Sequence, residues 1–227
     1  MDSISGVGVL DKAVGVLRAL RSQGPLGLAD LQAATGLPRA TAHRLVVALV
    51  DHGLVRRDAS GRFCLGFELI AMGRAASDSF PLAEIAAPAL AELLESTAES
   101  VQLFVREGDE RRCVVSLQSP HGLRWIVPVG ARLPLGVGSA GRVLLTARVL
   151  PNAAETWVES IEEREPGVAS VSAAVVGPSG SVIAAVSVSG PVERLSRQPG
   201  QRFGQAVVRA AAAVSRAVSS ADPGADS

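Results

Sequence analysis

Four side chains that can donate hydrogen bonds lie within one short stretch of the chain: Arg39, Thr41, His43 and Arg44. Pro38 precedes them and suits the first turn of a helix, because its missing N–H has no intrahelical partner there. On such a helix the small Ala40 lies on the same outward face as His43 and Arg44. Low bulk permits close approach to a duplex, and donors bind phosphates and purine edges. The chemistry that this stretch predicts is recognition of the DNA major groove by a helix.

An apolar pattern predicts the helix that would hold these side chains outward. Between residues 37 and 54, apolar residues recur at helical spacing at Ala42, Leu45, Val46 and Leu49. This spacing predicts one buried stripe. Leu28–Thr35 is a shorter helical pattern, and Gly36 follows it where a helix C-cap requires a positive φ. Helix, glycine turn and helix form a helix-turn-helix, although two core helices joined by a glycine turn would give the same pattern.

The residues after the second helix favour DNA binding over a simple pair of core helices. Val55–Arg57 is predicted to be a strand, Asp58–Gly61 a turn and Arg62–Leu65 the return strand. This hairpin, called the wing below, carries three arginines. We expect Arg57 and Arg62 to contact phosphates beside the recognition helix.

The charge distribution agrees with a nucleic-acid partner at the N-terminal end. The chain has 227 residues and is 48% hydrophobic, which supports a sizeable core and argues against disorder. The net charge is zero, but residues 1–66 hold seven arginines and Lys12 against five acidic residues, a net charge of +3. The rest of the chain is correspondingly acidic, so the basic surface lies with the helix-turn-helix.

Cysteine usage and the absence of targeting signals indicate a cytoplasmic protein. Cys64 and Cys113 have no metal-ligand spacing, so we expect reduced thiols and no metal site. The N-terminus has no basic start followed by an apolar run, and no segment reaches membrane-spanning length without charged residues or proline. We therefore expect no association with a membrane.

The remainder of the chain predicts an α+β protein with one antiparallel sheet. A first helix over residues 7–21 is expected to pack on the helix-turn-helix pair. After the wing the predicted helices and strands are Phe67–Ala76, Leu82–Thr97, Glu99–Arg106, Arg112–Leu117, Leu123–Val129, Arg142–Ala147, Ser170–Val176, Ser181–Ser189 and Arg202–Val218. The charged run Glu162–Glu165 is interpreted as a solvated surface.

A second stretch with a chemical signature is Gly136–Gly141, which reads G-x-G-x-x-G. A dinucleotide fingerprint also needs a βαβ unit, whereas Pro151–Glu155 is typical of a helix start. A more modest interpretation is a glycine-rich turn whose N–H groups bind a small carboxylate. A turn needed only for packing fits the pattern equally well.

Ser139 lies inside this stretch and invites comparison with a catalytic serine. Val137 occupies a position where a nucleophile elbow needs glycine. The histidines are poor candidates for its base, since His43 and His52 belong to the recognition helix and His121 follows a proline. We therefore expect no catalytic residue, no cofactor and no enzyme, with a dinucleotide-binding or small-molecule-binding enzyme as the alternative.

With these motifs in place, the chain resembles the IclR family of bacterial transcription regulators over nearly its full length. The matching segments are Val9–Leu20, Thr35–Leu45, Gly61–Gly66, Gly138–Arg142, Glu165–Ala173 and Ser187–Pro191. Within the family, it looks most similar to the actinobacterial branch implicated in leucine and other amino-acid biosynthesis. The resemblance implies repression or activation of metabolic genes and dimers, often paired into tetramers, on near-palindromic operators.

The resemblance also implies a domain order and an effector site. It implies a winged helix-turn-helix domain (1–66), a linker helix (67–80), a GAF-like effector-binding and oligomerisation domain (81–220) and a disordered tail (221–227). In the family a small effector lies between the glycine-rich loop and the C-terminal strands. Carried onto this chain, the effector contacts are Gly138, Ser139, Ala140, Glu163, Ser170, Ser187 and Ser189.

Two departures from the family pattern bear on the effector. Ser170 stands where many members have a cysteine, and the region Leu150–Ser160 looks shorter than the family's usual helix and strand. A DNA-binding protein that responds to no ligand, with a second domain that serves only for oligomerisation, is therefore the other alternative.

Overall fold

The structure is a computed structural model that describes residues 7–78, 81–146 and 156–221. The chain separates into two compact units, residues 1–80 and 81–227, each with its own hydrophobic core. The predicted helix start at Pro151–Glu155 lies outside the described residues. So does the predicted tail, apart from Ala221, which ends the last helix.

The first unit contains three helices, a two-stranded hairpin and a further helix. Its elements are α1 (Gly8–Gln23), α2 (Leu28–Thr35), α3 (Arg39–Asp51), β1 (Val55–Arg57), β2 (Phe63–Leu65) and α4 (Glu68–Asp78). Gly36 ends α2 in the left-handed region, with φ at 68°, and donates its N–H to the carbonyl of Gln32. Pro38 is the N-cap of α3, one position before the first helical residue, and its carbonyl accepts the N–H of Ala42.

The core of this unit lies between the three helices and the base of the wing. Its most deeply buried side chains include Val16 of α1, Leu31 of α2 and Val46 of α3. Phe63 of β2 belongs to the same core and exchanges two backbone hydrogen bonds with Leu26, at 2.8 and 2.9 Å. These bonds tie the loop before α2 to the wing, so the recognition helix and the hairpin share one rigid base.

The second unit is built on a six-stranded antiparallel sheet with helices on both faces. Its elements are α5 (Leu82–Thr97), β3 (Ser100–Glu107), β4 (Glu110–Leu117), β5 (Arg132–Pro134), α6 (Ser139–Leu145), β6 (Val158–Ile161), β7 (Val168–Val176), β8 (Val182–Pro191), α7 (Val192–Leu195) and α8 (Pro199–Ala221). The strand order is β5-β4-β3-β8-β7-β6. The predicted α+β class with an antiparallel sheet is confirmed.

Alternation along the central strands gives the two faces of this sheet different chemistry. Valines such as Val171, Val186 and Val188 pack against α5 and α8 in a wholly apolar core. The residues between them in β7 and β8 point to the face that carries α6, and many of these are serines, such as Ser172 and Ser187. A buried polar surface therefore lies beneath α6.

One predicted strand is wrong. Leu123–Val129 is irregular, and the strand that pairs with β4 is β5 instead. Leu123 is 73% exposed and Val129 is 61% exposed, whereas Val127 between them is 3% exposed, so most of the apolar residues that suggested a strand are not covered. Pro128 also has no N–H to donate to a ladder.

Three further details of the second unit differ from the prediction. Strand β6 and the short helix α7 were not predicted. Helix α6 begins at Ser139, directly after the glycine-rich loop, and not at Arg142. Each lies in a short segment whose ends are fixed by contacts with distant parts of the chain, such as the pairing of β6 with β7.

Candidate functional site

The recognition helix α3 buries one stripe and exposes the donors on its other side. Ala42, Val46 and Leu49 lie in the core of the first unit. The side chains predicted to contact DNA are exposed, with Thr41 half-buried: Pro38, Arg39, Ala40, Thr41, His43 and Arg44. These side chains point into solvent because the apolar stripe is packed in the core. Rotating α3 to bury His43 or Arg44 would expose that stripe.

Lys12 extends this donor surface onto a second helix. It is exposed on α1 and lines a shallow groove together with Thr41 and Arg44 of α3. Lys12 was not predicted as part of the site. The available signal was its position one helical turn before the buried Val16, on the side of α1 that packs against the other helices.

The wing is ordered by one carboxylate at its turn. Asp58 accepts the backbone N–H groups of Ser60 and Arg62, both at 2.9 Å, and the Nε of Arg62 at 3.2 Å. The hydroxyl of Ser60 is the main cause that lowers the pKa of Asp58 to about 2. At neutral pH the turn is therefore held by an ionised Asp58.

The two predicted wing arginines are both exposed, but they are held differently. Arg57 stacks its guanidinium 4.3 Å from the ring centre of Phe63 and donates Nη1 to the carbonyl of Gly61 at 3.0 Å. Arg62 is ion-paired to Asp58 at the surface. Exposed ion pairs are weak, so a phosphate can compete for Arg62.

A small cavity lies in the second unit, between α6 with its preceding loop and the polar face of the sheet. Six of the seven residues predicted to bind an effector line it, namely Gly138, Ser139, Ala140, Ser170, Ser187 and Ser189. About 30 Å³ is accessible to the centre of a water molecule, which is room for a few waters only. A larger ligand requires side chains to move.

The serines at the cavity form a continuous chain of hydrogen bonds. The hydroxyl of Ser139 lies 2.7 Å from the hydroxyls of both Ser170 and Ser172. Ser172 donates to Ser187 at 2.9 Å, because β7 and β8 pair these two residues directly. Ser172 was not predicted as part of the site, although it lies on the same face of β7 as Ser170.

Glu163, the seventh predicted effector contact, binds the loop itself. Its carboxylate accepts the N–H of Gly138 at 3.0 Å and the Nη1 of Arg142 at 2.6 Å. Burial alone would raise the pKa of Glu163, but these two hydrogen bonds and one from Ser160 outweigh it and lower the pKa. The N–H of Gly138, which was predicted to bind a ligand, therefore donates to a carboxylate of the protein itself. Glu163 is also not a freely solvated charge, unlike the prediction for the run Glu162–Glu165.

Two polar side chains that the sequence analysis missed also line the cavity, Arg111 and Gln102. Arg111 is 3% exposed and donates Nη1 to the carbonyls of Val137, at 2.6 Å, and Pro134. Desolvation and the charge of Arg164 lower its pKa to about 10, so it is a cation at neutral pH. The available signal was strand alternation, since Arg111 has the parity of the buried Cys113.

The described geometry does not support the enzyme alternative. The glycine-rich loop follows the antiparallel strand β5, so no βαβ unit surrounds it. Ser139 hydrogen-bonds to serine hydroxyls among the described residues and has no base beside it. Burial raises the pKa of the Cys113 thiol to about 12, which makes it unreactive. No helix in the described part of the chain is long and apolar enough to cross a membrane.

The sequence matches two family models that together span most of the chain. The IclR helix-turn-helix domain matches residues 9–59, and the bacterial transcriptional regulator IclR C-terminal domain matches residues 74–157 and 152–216. The first match contains α1 to β1, and the second contains the cavity described above. The prediction of family membership is confirmed by these matches.

Named relatives and solved structures agree with the family models. The glycerol operon regulatory protein of Streptomyces griseus is 32% identical over 240 residues, covering 91% of this chain and 94% of that protein. The transcriptional repressor IclR of Escherichia coli is 25% identical and covers 86% of this chain and 84% of its own. An IclR homolog of Microbacterium hydrocarbonoxydans, solved in complex with 4-hydroxybenzoate, shares the fold at a TM-score of 0.77 and 22% identity, covering 92% of this chain and 98% of that one. The two named relatives are transcriptional regulators and not enzymes.

Proposed function

The chain belongs to the IclR family of bacterial transcriptional regulators, and from this premise we propose how its own residues carry out regulation. Helix α3 reads the major groove of an operator through Arg39, Thr41, His43 and Arg44, while Pro38 and Ala40 permit close approach. Arg57 and Arg62 of the wing bind the adjoining phosphates. Two copies of the chain bind a near-palindromic operator as a dimer, or as a pair of dimers. The proposed place of action is the cytoplasm, where the bacterial chromosome lies.

The observation that carries this proposal is the amphipathic division of α3. The helix is fixed by three buried side chains, so its exposed donors are presented on a rigid support. A recognition helix needs this rigidity, because bidentate contacts to base edges tolerate little misplacement. The loop before α2 and the wing share the same core, which fixes the wing beside α3.

The second unit is proposed to bind a small effector in the cavity under α6. The predicted contacts Gly138, Ser139, Ala140, Ser170, Ser187 and Ser189 are supported by their common place around that cavity. The effector is proposed to be a small carboxylate or amino-acid-like molecule, and the target genes to be those of amino-acid metabolism. The glycerol operon relative shows that members of the family control other pathways, so the target rests on the narrower resemblance alone.

Replacing Arg44 by alanine tests the DNA-binding part of the proposal. We expect operator affinity to fall by about 1–3 kcal/mol, roughly 5-fold to 150-fold, because a base-edge or phosphate contact is lost. The operator would first be selected from random oligonucleotides with the purified full-length chain, and affinity would then be measured by fluorescence anisotropy at a fixed salt concentration. Arg209→Ala, an exposed arginine of α8 in the second unit, is the matched control.

An unchanged affinity of the Arg44→Ala protein would show that α3 is not the reading element. An equal loss in the Arg209→Ala protein would show that the effect comes from net charge alone. Both variants change exposed side chains, so neither is expected to alter folding by more than about 0.5 kcal/mol.

A second candidate function is DNA binding without a ligand. The small size of the cavity and the contact of Glu163 with Gly138 favour it, because both leave little free space and one fewer free donor at the loop. On this alternative the second unit serves only for oligomerisation. The ligand titration described in the next subsection separates the two candidates.

A further inference from the structure

Arg111 is a buried cation for which the described part of the chain supplies no carboxylate. It projects from β4 toward α6, is 3% exposed, and takes part in none of the ion pairs found among the described residues. An unpaired charge is costly to bury, because the interior solvates it far less well than water does. Such a charge is stabilised either by hydrogen bonds to the surrounding protein or by an anion that is not part of the chain.

The hydrogen bonds of Arg111 account for only part of its guanidinium. Nη1 donates to the carbonyls of Val137 and Pro134, which fixes the plane of the group under the glycine-rich loop. Its Nε is buried and has no hydrogen-bond partner among the described residues. Nη2 makes no hydrogen bond in the described part of the chain and lies 3.2 Å from where a Cβ on Gly138 would be. Nε and Nη2 form one edge of the guanidinium, the edge that binds a carboxylate through two parallel hydrogen bonds.

Other groups at the same cavity also favour an anion. Gln102 donates no hydrogen bond from its buried Nε2, while its Oε1 accepts the hydroxyl of Ser189 at 2.8 Å. Arg164 lines the cavity and stacks 4.9 Å from the ring centre of Trp125. The only carboxylate among the described lining residues is that of Glu165. Two guanidinium groups against one carboxylate leave the cavity with an excess of positive charge.

We propose that Arg111 is the residue of this cavity that binds the charged group of the effector, and that the effector is a small carboxylate held side-on by Nε and Nη2. The inference rests on the effector-responsive function proposed above and assigns the chemistry of that same cavity. The glycine-rich loop then has a different role from the predicted one, because it positions Arg111 and does not itself bind the carboxylate. Its Gly138 N–H is bound by Glu163, and its carbonyl at Val137 orients Arg111.

The cavity size sets a further expectation about the ligand. With a volume of about 30 Å³, the cavity holds a group of about the size of acetate, equivalent to a few waters, before any side chain moves. An aromatic carboxylate exceeds this volume, so we expect it to displace lining side chains such as Arg164, which stacks on Trp125. Short aliphatic carboxylates are therefore expected to bind without rearrangement of the tryptophan, and aromatic ones with a larger change in its fluorescence.

The test is a titration of the full-length protein with matched acids and amides. The probes are sodium acetate, propionate, succinate, benzoate and 4-hydroxybenzoate, each against its neutral amide, together with sodium phosphate and sodium sulfate, all at constant ionic strength. Thermal stability and tryptophan fluorescence are read out on the same samples. We expect at least one carboxylate to raise the melting temperature saturably, while its amide and the inorganic anions do not.

Three variants assign the response to Arg111. Arg111→Met removes the charge, Arg111→Lys keeps the charge but lacks the two-donor edge, and Gln102→Glu replaces an unpartnered donor by an anion of the same shape. Each is expected to weaken carboxylate binding at least about tenfold. Arg209→Met, on the opposite side of the sheet, is the matched control and is expected to bind as the wild type does. If Arg111→Met does not fold, the other two variants still decide the question.

Several outcomes would overturn the inference. They are a wild-type protein that responds to no carboxylate, amides or inorganic anions that bind as well as the acids, or folded Arg111 variants that keep their affinity. Operator binding by the same preparation separates this failure from that of the proposed function. A protein that binds its operator but no carboxylate contradicts the role of Arg111 and favours DNA binding without a ligand, while the proposed DNA contacts of α3 stand. A protein that binds carboxylates but no DNA contradicts the proposed DNA contacts of α3 and leaves the role of Arg111 standing.

Discussion

At the scale of single residues, the arginines proposed to bind DNA differ in the contacts that hold them. Arg44 projects from a helix with no hydrogen bond to the protein in the described part of the chain, so it is available to a base edge. Arg57 is stacked on Phe63 and held by the carbonyl of Gly61. A guanidinium that is already oriented loses little entropy when a phosphate binds, but it has little freedom to follow a base sequence.

Replacing Arg57 by alanine should therefore weaken binding to all DNA sequences alike. One phosphate contact is lost, so the slope of the logarithm of affinity against the logarithm of salt concentration should decrease by about 1. The measurement is anisotropy with the selected operator and with a scrambled duplex over a range of salt concentrations. A loss confined to the operator, with an unchanged salt slope, would mean that Arg57 reads bases instead.

At the scale of elements, the start of α6 packs closely against the backbone of Leu135 and the guanidinium of Arg111. A Cβ on Gly141 would lie 2.1 Å from the carbonyl oxygen of Leu135 and 2.3 Å from Nη1 of Arg111. A Cβ on Gly136 would have nothing within 4 Å. The two glycines belong to the same G-x-G-x-x-G stretch, but only Gly141 is required by packing.

This contrast gives a matched pair of substitutions. Gly141→Ala should destabilise the second unit by about 1–3 kcal/mol, because backbone and Arg111 must move to admit one methyl group. Gly136→Ala should change stability by less than about 0.5 kcal/mol. Urea unfolding followed by tryptophan fluorescence measures both. If Gly141→Ala is as mild as Gly136→Ala, the packing of α6 does not depend on Gly141.

The sequence predicted the elements of the first unit better than those of the second, for a local reason. Gly36 and Pro38 mark the end of α2 and the start of α3 by their own backbone preferences. Leu123–Val129 has apolar residues, but whether it forms a strand depends on which segment pairs with the edge of β4. That edge is taken by β5, so the segment has no partner strand in the structure.

At the scale of the whole molecule, the two units have separate cores. Leu31 lies at the centre of the first core and Leu90 at the centre of the second. The only two tryptophans of the chain, Trp125 and Trp157, lie in the second unit. Tryptophan fluorescence therefore reports unfolding of the second unit, while circular dichroism reports the helices of both.

Leu31→Ala should lower the stability of the first unit by about 2–5 kcal/mol, because it leaves a cavity in a buried core. We expect the early part of the circular dichroism transition in urea to move to lower denaturant, with the fluorescence transition unchanged. Leu90→Ala is the complementary variant and should move the fluorescence transition. If Leu31→Ala moves both signals equally, the two units unfold as one cooperative body.

The sequence by itself determined helix α3, the hairpin of β1 and β2 and the α+β class, because periodicity, glycine and proline act through neighbours along the chain. The serines of β7 and β8 were predicted at the cavity only from the family resemblance. Only the tertiary structure decided that Arg111 is a buried partner of the glycine-rich loop. The contact between Arg111 and Val137 joins residues 26 positions apart. It exists because the sheet brings β4 under α6, and no local pattern encodes which distant groups share a cavity.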